Sequence, residues 1–417
     1  MIPSRAYLIT ALMLATTLSP LVPASAQAPA APPAAPAAPA APAVAAPVLP
    51  PPTPLQQAFL TAATALFDSA KVPDGTKVDL LIDPLIDGNT GAQSIATRSL
   101  EAQIRQLVRT RYANKFEIKP FTSDNVAKNP LVFIGTFTAI NASSQAAASQ
   151  PRDAYRVCFA MLDLKTKLIL SKGFARATTA GINAAPTPAF ADSPVWLKDP
   201  AVDGYVRTCQ GTKAGDPINA AYVDRIGVAA VISDAIIAYD ARKYAEALAL
   251  YTRAKALPGG DQLRVHNGIY LSNWKLNRRV EAERAFGDVV DYGLKSDKVS
   301  VLMLFRTGRT DFVADRGISA PYPIWVKTIA QKVAAKNACL EIVGHTSRTG
   351  AEPKNDALSV RRAETIKAQL ARQSPALAKL LKTNGVGWRE NLIGTGKDDR
   401  TDALDRRVEF KSATGCV

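Results

Sequence analysis

From Val299 to Val417 the chain changes hydrophobic period in a fixed order, and this order restricts its folds more than any other feature. Ser300-Val301-Leu302-Met303-Leu304-Phe305 is an apolar run of strand length. Pro323 to Ala335 places Val326, Ile329, Ala330 and Val333 on one helical face. Cys339-Leu340-Glu341-Ile342-Val343 reads as a second strand and Asn355 to Leu370 as a second helix. Leu392-Ile393-Gly394-Thr395-Gly396 and Arg407-Val408-Glu409-Phe410 read as later strands. The pattern predicts a βαβαββ domain over 299–417.

The residues at the element ends carry the functional signal. Gly344-His345-Thr346-Ser347-Arg348-Thr349-Gly350 follows the second strand, and Asn355-Asp356-Ala357-Leu358-Ser359-Val360-Arg361-Arg362-Ala363 opens the second helix. Gly394-Thr395-Gly396 and Asp405-Arg406-Arg407-Val408 come after. In this order and spacing the four elements resemble the OmpA-like domain. The resemblance implies a ligand, the diaminopimelate-containing stem peptide of peptidoglycan, and implies that Arg362 pairs with a ligand carboxylate. The chemistry is sound independently, because a planar guanidinium grips a carboxylate through two parallel charge-assisted bonds that Lys cannot copy. Asn355 precedes Arg362 by two helical turns, so both point from one face. Asn355 and Thr349 would supply neutral hydrogen bonds, Thr346 and Ser347 belong to the same loop, and Arg406 or Arg407 would form a second positive wall. One position departs from the family. Ser347 stands where an Asp usually receives the ligand's ammonium group, and losing such a partner weakens recognition by roughly 2–5 kcal/mol. Asp356 or Glu352 is the candidate substitute. Phe305-Arg306-Thr307-Gly308-Arg309 also stands where an acidic residue and an Asn are common in the family. The plain alternatives are an Arg362 that pairs on a solvated helix face and a His345 that packs at a strand end.

Upstream, the chain divides by composition. Met1 to Arg5 is basic, Ala6 to Val22 is apolar and Ala24-Ser25-Ala26 is a small-x-small cleavage signal, which together predict a secretory signal peptide over 1–26. The apolar run is nearly long enough for an uncleaved anchor. Residues 27–54 are almost wholly Ala and Pro, a semi-rigid polyproline II spacer. An α/β domain is expected over 55–215. It has a helix at Gln56–Ala70, strands at Val78–Asp83, Phe116–Ile118 and Leu131–Gly135, a helix with Ile95, Leu100, Ile104 and Leu107 on one face, and a hairpin around Asp163–Thr166. The turn Asp87-Gly88-Asn89-Thr90 and the strand ending Ile134-Gly135 resemble the domain of penicillin-binding-protein activator and curli-secretion lipoproteins; a generic α/β domain is the other reading. Over 219–295, Ala247 and Ala282 stand 35 residues apart, as do Tyr251 and Phe286, which predicts a tetratricopeptide-like helical unit or a plain helical hairpin bridging two domains.

Cys158, Cys209, Cys339 and Cys416 fit an oxidising compartment, and pairing within domains favours Cys158 with Cys209 and Cys339 with Cys416. With two His and no ligand spacing, no metal site is expected, and no cofactor. No Ser-His-Asp order or Gly-rich phosphate loop is visible, and Gly394-Thr395-Gly396 is too short to hold a nucleotide, so enzyme readings are set aside. The net charge of +15 points away from nucleic acid once export is assumed, and toward the anionic wall and outer leaflet. The expectation is an α/β (α+β) multidomain protein of the periplasm that holds peptidoglycan without covalent linkage. Its partners would be the stem peptide and outer-membrane or envelope proteins. The alternative is a regulator or assembly scaffold for a wall-synthesis or secretion complex, with wall binding weak or lost.

Overall fold

The computed structural model describes residues 50–417 except 74, 142, 147–152, 196–197, 297–298, 300, 393–400, 414 and 417. The expected signal peptide, most of the spacer and Gly394-Thr395-Gly396 lie outside the described residues. No helix among the described residues is long and apolar enough to cross a membrane.

The first sheet is built from β1 (Val78–Ile82), β2 (Ile86–Asp87), β3 (Phe116–Ile118), β4 (Leu131–Ile140), β5 (Ala154–Asp163) and β6 (Leu168–Ala177), in the order β3-β1-β4-β5-β6 with β2 on β4. β3, β1 and β4 are parallel, while β4, β5 and β6 form an antiparallel meander. Every residue of β4 is buried, as expected of a largely apolar strand with both faces covered. One face carries α1 (Leu55–Ser69) and α2 (Ile95–Arg111), and the other carries α3 (Ser123–Val126) and α5 (Pro200–Cys209). Between these last two lies the short α4 (Pro188–Ala191), and α6 (Ala220–Val223) follows. The α1 backbone lies so close to β6 that a Cβ on Gly173 would stand 1.8 Å from Ala62 O. Thr53 is within the fold, not the spacer: its N–H donates to Arg176 O at 2.9 Å and its carbonyl accepts from Thr178 N at 2.8 Å. Ile95, expected on the buried face of α2, is 50% exposed. It is the first residue after Ser94 of the Ser94–Thr97 capping box, and Val108 fills the far end of the buried stripe instead. A disulfide between Cys158 and Cys209 ties β5 to α5.

Four antiparallel helices follow: α7 (Ile226–Asp240), α8 (Tyr244–Ala256), α9 (Leu263–Lys275) and α10 (Arg279–Lys295). α7 is largely apolar, and ten of its fifteen residues are buried while Ile237 is exposed. Ile226 and Ala230 join the core beneath the first sheet, while Val231, Ala235, Ile236 and Tyr239 join a second core shared with the C-terminal segment. Ala247 and Ala282 are fully buried where paired helices cross, with Tyr251 and Phe286 packed beside them. Trp325 joins this array to the C-terminal segment: its Nε1 donates to Tyr270 Oη at 2.8 Å and its ring stacks on Phe286 at 5.5 Å between centroids. One continuous apolar core therefore runs from the helical array into that segment.

The C-terminal segment comprises β7 (Met303–Leu304), α11 (Arg316–Ser319), α12 (Tyr322–Lys336), β8 (Leu340–Gly344), α13 (Glu352–Gln373), β9 (Leu381–Gly385) and β10 (Arg407–Ser412), with sheet order β7-β10-β8-β9. A strand that the sequence reading did not name, β9, runs parallel to β8, and residues 393–396 of the strand expected from Leu392 lie outside the described residues. Leu392 itself is outside any strand, its N–H donating to Asp405 Oδ1 at 2.6 Å. β9 was hidden because it is an edge strand, Leu-Lys-Thr-Asn-Gly, with Leu381 its one fully buried side chain. The Cys339–Cys416 disulfide closes the β8–β10 pair at its end. The chain is thus an α/β multidomain protein.

Candidate functional site

β7 and β8 both run antiparallel to β10, and β9 runs parallel to β8, so β7, β8 and β9 end at one edge of the sheet. The segments after them, 305–312, 345–351 and 386–392, meet there beside the first turns of α13.

Arg362 lies at the centre and is fully buried. Its Nε donates to Arg309 O at 2.9 Å, Nη1 to His345 O at 2.7 Å and Nη2 to Arg306 O at 2.9 Å. The guanidinium also lies 5.2 Å from the centroid of the Phe305 ring. These bonds engage three of the five N–H donors a guanidinium carries, and they join the segments after β7 and β8. Two turns earlier, Asn355 points the same way, and its Nδ2 donates to Thr349 O at 3.1 Å and Gly350 O at 3.5 Å. Gly350 has φ of +98°, a conformation that L side chains rarely adopt.

The third segment closes the far side. Thr346 N donates to Gly387 O at 2.8 Å, and Gly387 N donates to Ser359 Oγ at 3.1 Å. The Asn391 amide nitrogen donates to Thr346 O at 2.8 Å and Trp388 O at 3.0 Å. Thr346 and Ser347 are buried in this frame, whereas Thr349 and Arg348 are exposed at its rim, with Arg348 over the Trp388 ring at 5.5 Å. The two carboxylates considered as substitutes for the missing Asp are both held by Arg389: Glu352 at 2.9 Å and Asp356 at 2.8 Å.

The two arginines entering β10 separate. Arg406 Nε donates to Phe305 O at 3.4 Å, which keeps it against the segment that Arg362 also holds. Arg407 turns away. Val408 and Phe410 enter the core under the helices, so strand alternation sends Arg407 and Glu409 to the opposite face. There Arg407 Nε pairs with Glu409 Oε1 at 2.5 Å and Nη2 donates to Glu390 O at 3.0 Å. His345 is fully buried on this face. Burial first, then the Arg407, Lys411 and Arg362 charges, holds its imidazole well below its ordinary pKa, so it is neutral. The structure therefore brings Arg362, Asn355, Thr346, Ser347, Thr349 and Arg406 to one edge and leaves Arg407 out.

Trp388, Arg389 and Asn391 were missed from sequence, because the strand that delivers them was. The pair Gly385-x-Gly387 was the available signal. An added Cβ on either glycine would collide with α13, at 2.3 Å from Ser359 Oγ and 2.4 Å from Asp356 Oδ1. Among the described residues no His, Cys, Asp and Glu group could hold a metal ion.

Comparison with known proteins gives the same segment. Residues 315–403 match the OmpA family. The outer membrane protein Omp38 of Acinetobacter baumannii, in two strains, is 33% identical over 99 residues, which is 24% of this chain and 27% of Omp38. The chain thus spans about a quarter of the length of these relatives. Among solved structures, the OmpA-like domain of FopA1 from Francisella tularensis is 17% identical, covering 28% of this chain and 73% of that one with a TM-score of 0.23. The peptidoglycan-associated lipoprotein of Burkholderia pseudomallei is 20% identical, covering 27% and 89% with a TM-score of 0.23. Residues 315–403 of this chain are an OmpA-family domain.

Proposed function

We propose that the C-terminal domain binds the stem peptide of peptidoglycan without covalent linkage, and that the chain works in the bacterial envelope. There it joins the wall to the outer membrane or to an envelope complex reached through the first α/β domain. The observation that carries this reading is the convergence of Arg362, Asn355 and the 346–350 loop at the N-terminal end of α13. A fixed guanidinium, an amide-held loop and a 22-residue helix with its positive end toward the loop form a frame suited to a carboxylate. The relationship to Omp38, an outer membrane protein by name, supports an envelope location. Export through the signal peptide at 1–26 and extension by the 27–54 spacer belong to the same reading.

Wild-type protein should co-sediment with isolated sacculi, and free stem peptide should release it. Arg362→Ala should abolish retention, whereas Arg407→Ala, on the other face, should leave more of it. Ser347→Asp should tighten binding of the diaminopimelate-containing peptide by restoring a partner for its ammonium. Wild-type protein that stays in the supernatant would overturn the reading. The alternative, an assembly scaffold with secondary wall contact, is favoured by Ser347 and by the Arg389 hold on Glu352 and Asp356. Capture of a specific envelope enzyme by cross-linking through residues 55–210, with sacculus retention weak, would select it.

A further inference from the structure

A second cleft lies outside the OmpA-family domain, where β1 ends. α2 leads from β1 to β3 across one face of the sheet, α3 leads from β3 to β4 across the other, and the strand order is β3-β1-β4. In open α/β sheets, the crevice outside the strand carboxyl ends at such a reversal is where small ligands bind. Here the helical array roofs it, leaving a cleft lined by Asp83, Gln93, Tyr205, Tyr222, Ile236 and Arg264 among others.

The charges of this cleft do not balance. Arg264 Nε pairs with Asp199 Oδ2 at 3.1 Å and its Nη2 donates to Gln262 Oε1 at 2.9 Å. The Asp199 side chain is fully buried and holds Arg264 directly, so Arg264 reaches Asp83 only through space and not by a hydrogen bond. Asp83, 7% exposed, receives only a neutral donor, the Tyr222 hydroxyl at 2.7 Å. Gln93 is 4% exposed, and its Oε1 has no hydrogen-bond partner. An ionisable acceptor and an unsatisfied amide oxygen thus share an apolar, aromatic chamber. An ammonium group supplies what both lack: positive charge and three N–H donors.

We propose that this cleft binds a small primary ammonium ion, an aliphatic amine or the amino end of an amino acid, with the charged head facing Asp83 and Gln93 and the carbon stem against Val202 and Ile236. The electrostatics agree with the geometry. Burial pushes the Asp83 carboxyl up to about 7; the Tyr222 hydrogen bond and the Arg264 charge pull it down, and Glu101 adds a small push up. Tyr205, the remaining titratable neighbour, is itself held well above its ordinary pKa by burial and stays neutral. A bound cation would therefore meet an ionised Asp83 only after the site has lost its proton, which makes binding proton-linked.

The test uses the full chain and isothermal titration with ethylammonium chloride, then with L- and D-alanine. Saturable ethylammonium binding is expected, about tenfold tighter at pH 8 than at pH 6, because a proton must leave below pH 7 and not above it. Asp83→Asn should weaken it at least tenfold and Gln93→Leu should weaken it less. The Gln93 variant and the wild-type pH profile keep the test decisive if Asp83→Asn does not fold. Alanine binding tighter than ethylammonium assigns the site to amino acids, and weaker binding assigns it to plain amines. No saturable binding by any of the three, equal binding by Asp83→Asn, or an affinity independent of pH overturns the proposal.

Discussion

At the scale of single residues, Arg362 combines two roles that sequence motifs do not separate. Its proposed role is to meet a ligand carboxylate, and in the structure it is a fully buried cross-piece that satisfies the carbonyls of Arg306, Arg309 and His345. Replacing it leaves buried acceptors without donors, so Arg362→Met should destabilise the protein by about 3–5 kcal/mol in urea unfolding. Arg361→Ala, one residue earlier and exposed, should change stability by less than about 0.5 kcal/mol. Equal midpoints for the two variants would show that the carbonyls do not depend on the guanidinium. This contrast bears on any loss of wall binding, since Arg362→Ala removes the frame together with the contact. It also marks what was legible. A guanidinium at 362 and an amide at 355, two turns apart, could be read because side chains carry sequence identity. Their partners could not, because the backbone carbonyls in segments 306–309 and 345–350 are chemically the same whatever residue bears them.

At the scale of elements, strong periodicity predicted well and close approach did not. α1, β1, β3, the β5–β6 hairpin, α12 and α13 were all legible, because apolar residues recur at the helical or strand period. β9 was lost because an edge strand buries one side, and its sequence offers Leu381 alone. α5 was lost behind Pro200, whose start signal is the N-cap Asp199 accepting from Ala201 N and Val202 N, both at 3.0 Å. The glycines that set the spacing between layers are equally silent in sequence. A Cβ on Gly344 would stand 1.8 Å from Ser359 O, so α13 can rest on β8 only because that position has no side chain. Gly344→Ala should force the helix outward, costing at least about 3 kcal/mol by strain and lost packing. It should also disturb the loop that begins at His345. Gly227→Ala, where an added Cβ meets open space in α7, should be neutral or slightly stabilising by helix propensity. Thermal melts of the two variants check the pair, and matching midpoints would contradict the close approach.

At the scale of the whole molecule, α7 joins the parts, since it lies in the core beneath the first sheet and in the core shared with the OmpA-family domain. The sequence placed this stretch in a helical unit but named neither its burial nor its two cores, because a largely apolar surface does not name its neighbours. Asp83 sits at this junction, hydrogen-bonded to Tyr222 and facing Arg264 from α9. In the unfolded chain its carboxyl titrates near 3.8, and burial raises that to about 7 in the folded protein. Between those values the native state holds a proton that the unfolded chain has released, so stability falls as pH rises through this window and levels off above it. The full contribution is about 4 kcal/mol, present below pH 4 and lost by pH 7 to 8. Many other groups titrate over the same range, so the informative quantity is the difference between wild type and Asp83→Asn. The variant keeps the shape and the Tyr222 hydrogen bond but cannot ionise. Wild type should be the more stable relative to the variant at pH 4, and its advantage should shrink steadily until Asp83→Asn is the more stable near pH 8. Urea midpoints at matched pH values measure this. Parallel curves for the two proteins across pH 4 to 8 would mean that Asp83 does not change its proton affinity on folding, and that the junction between the sheet and the helical array carries no proton-dependent strain.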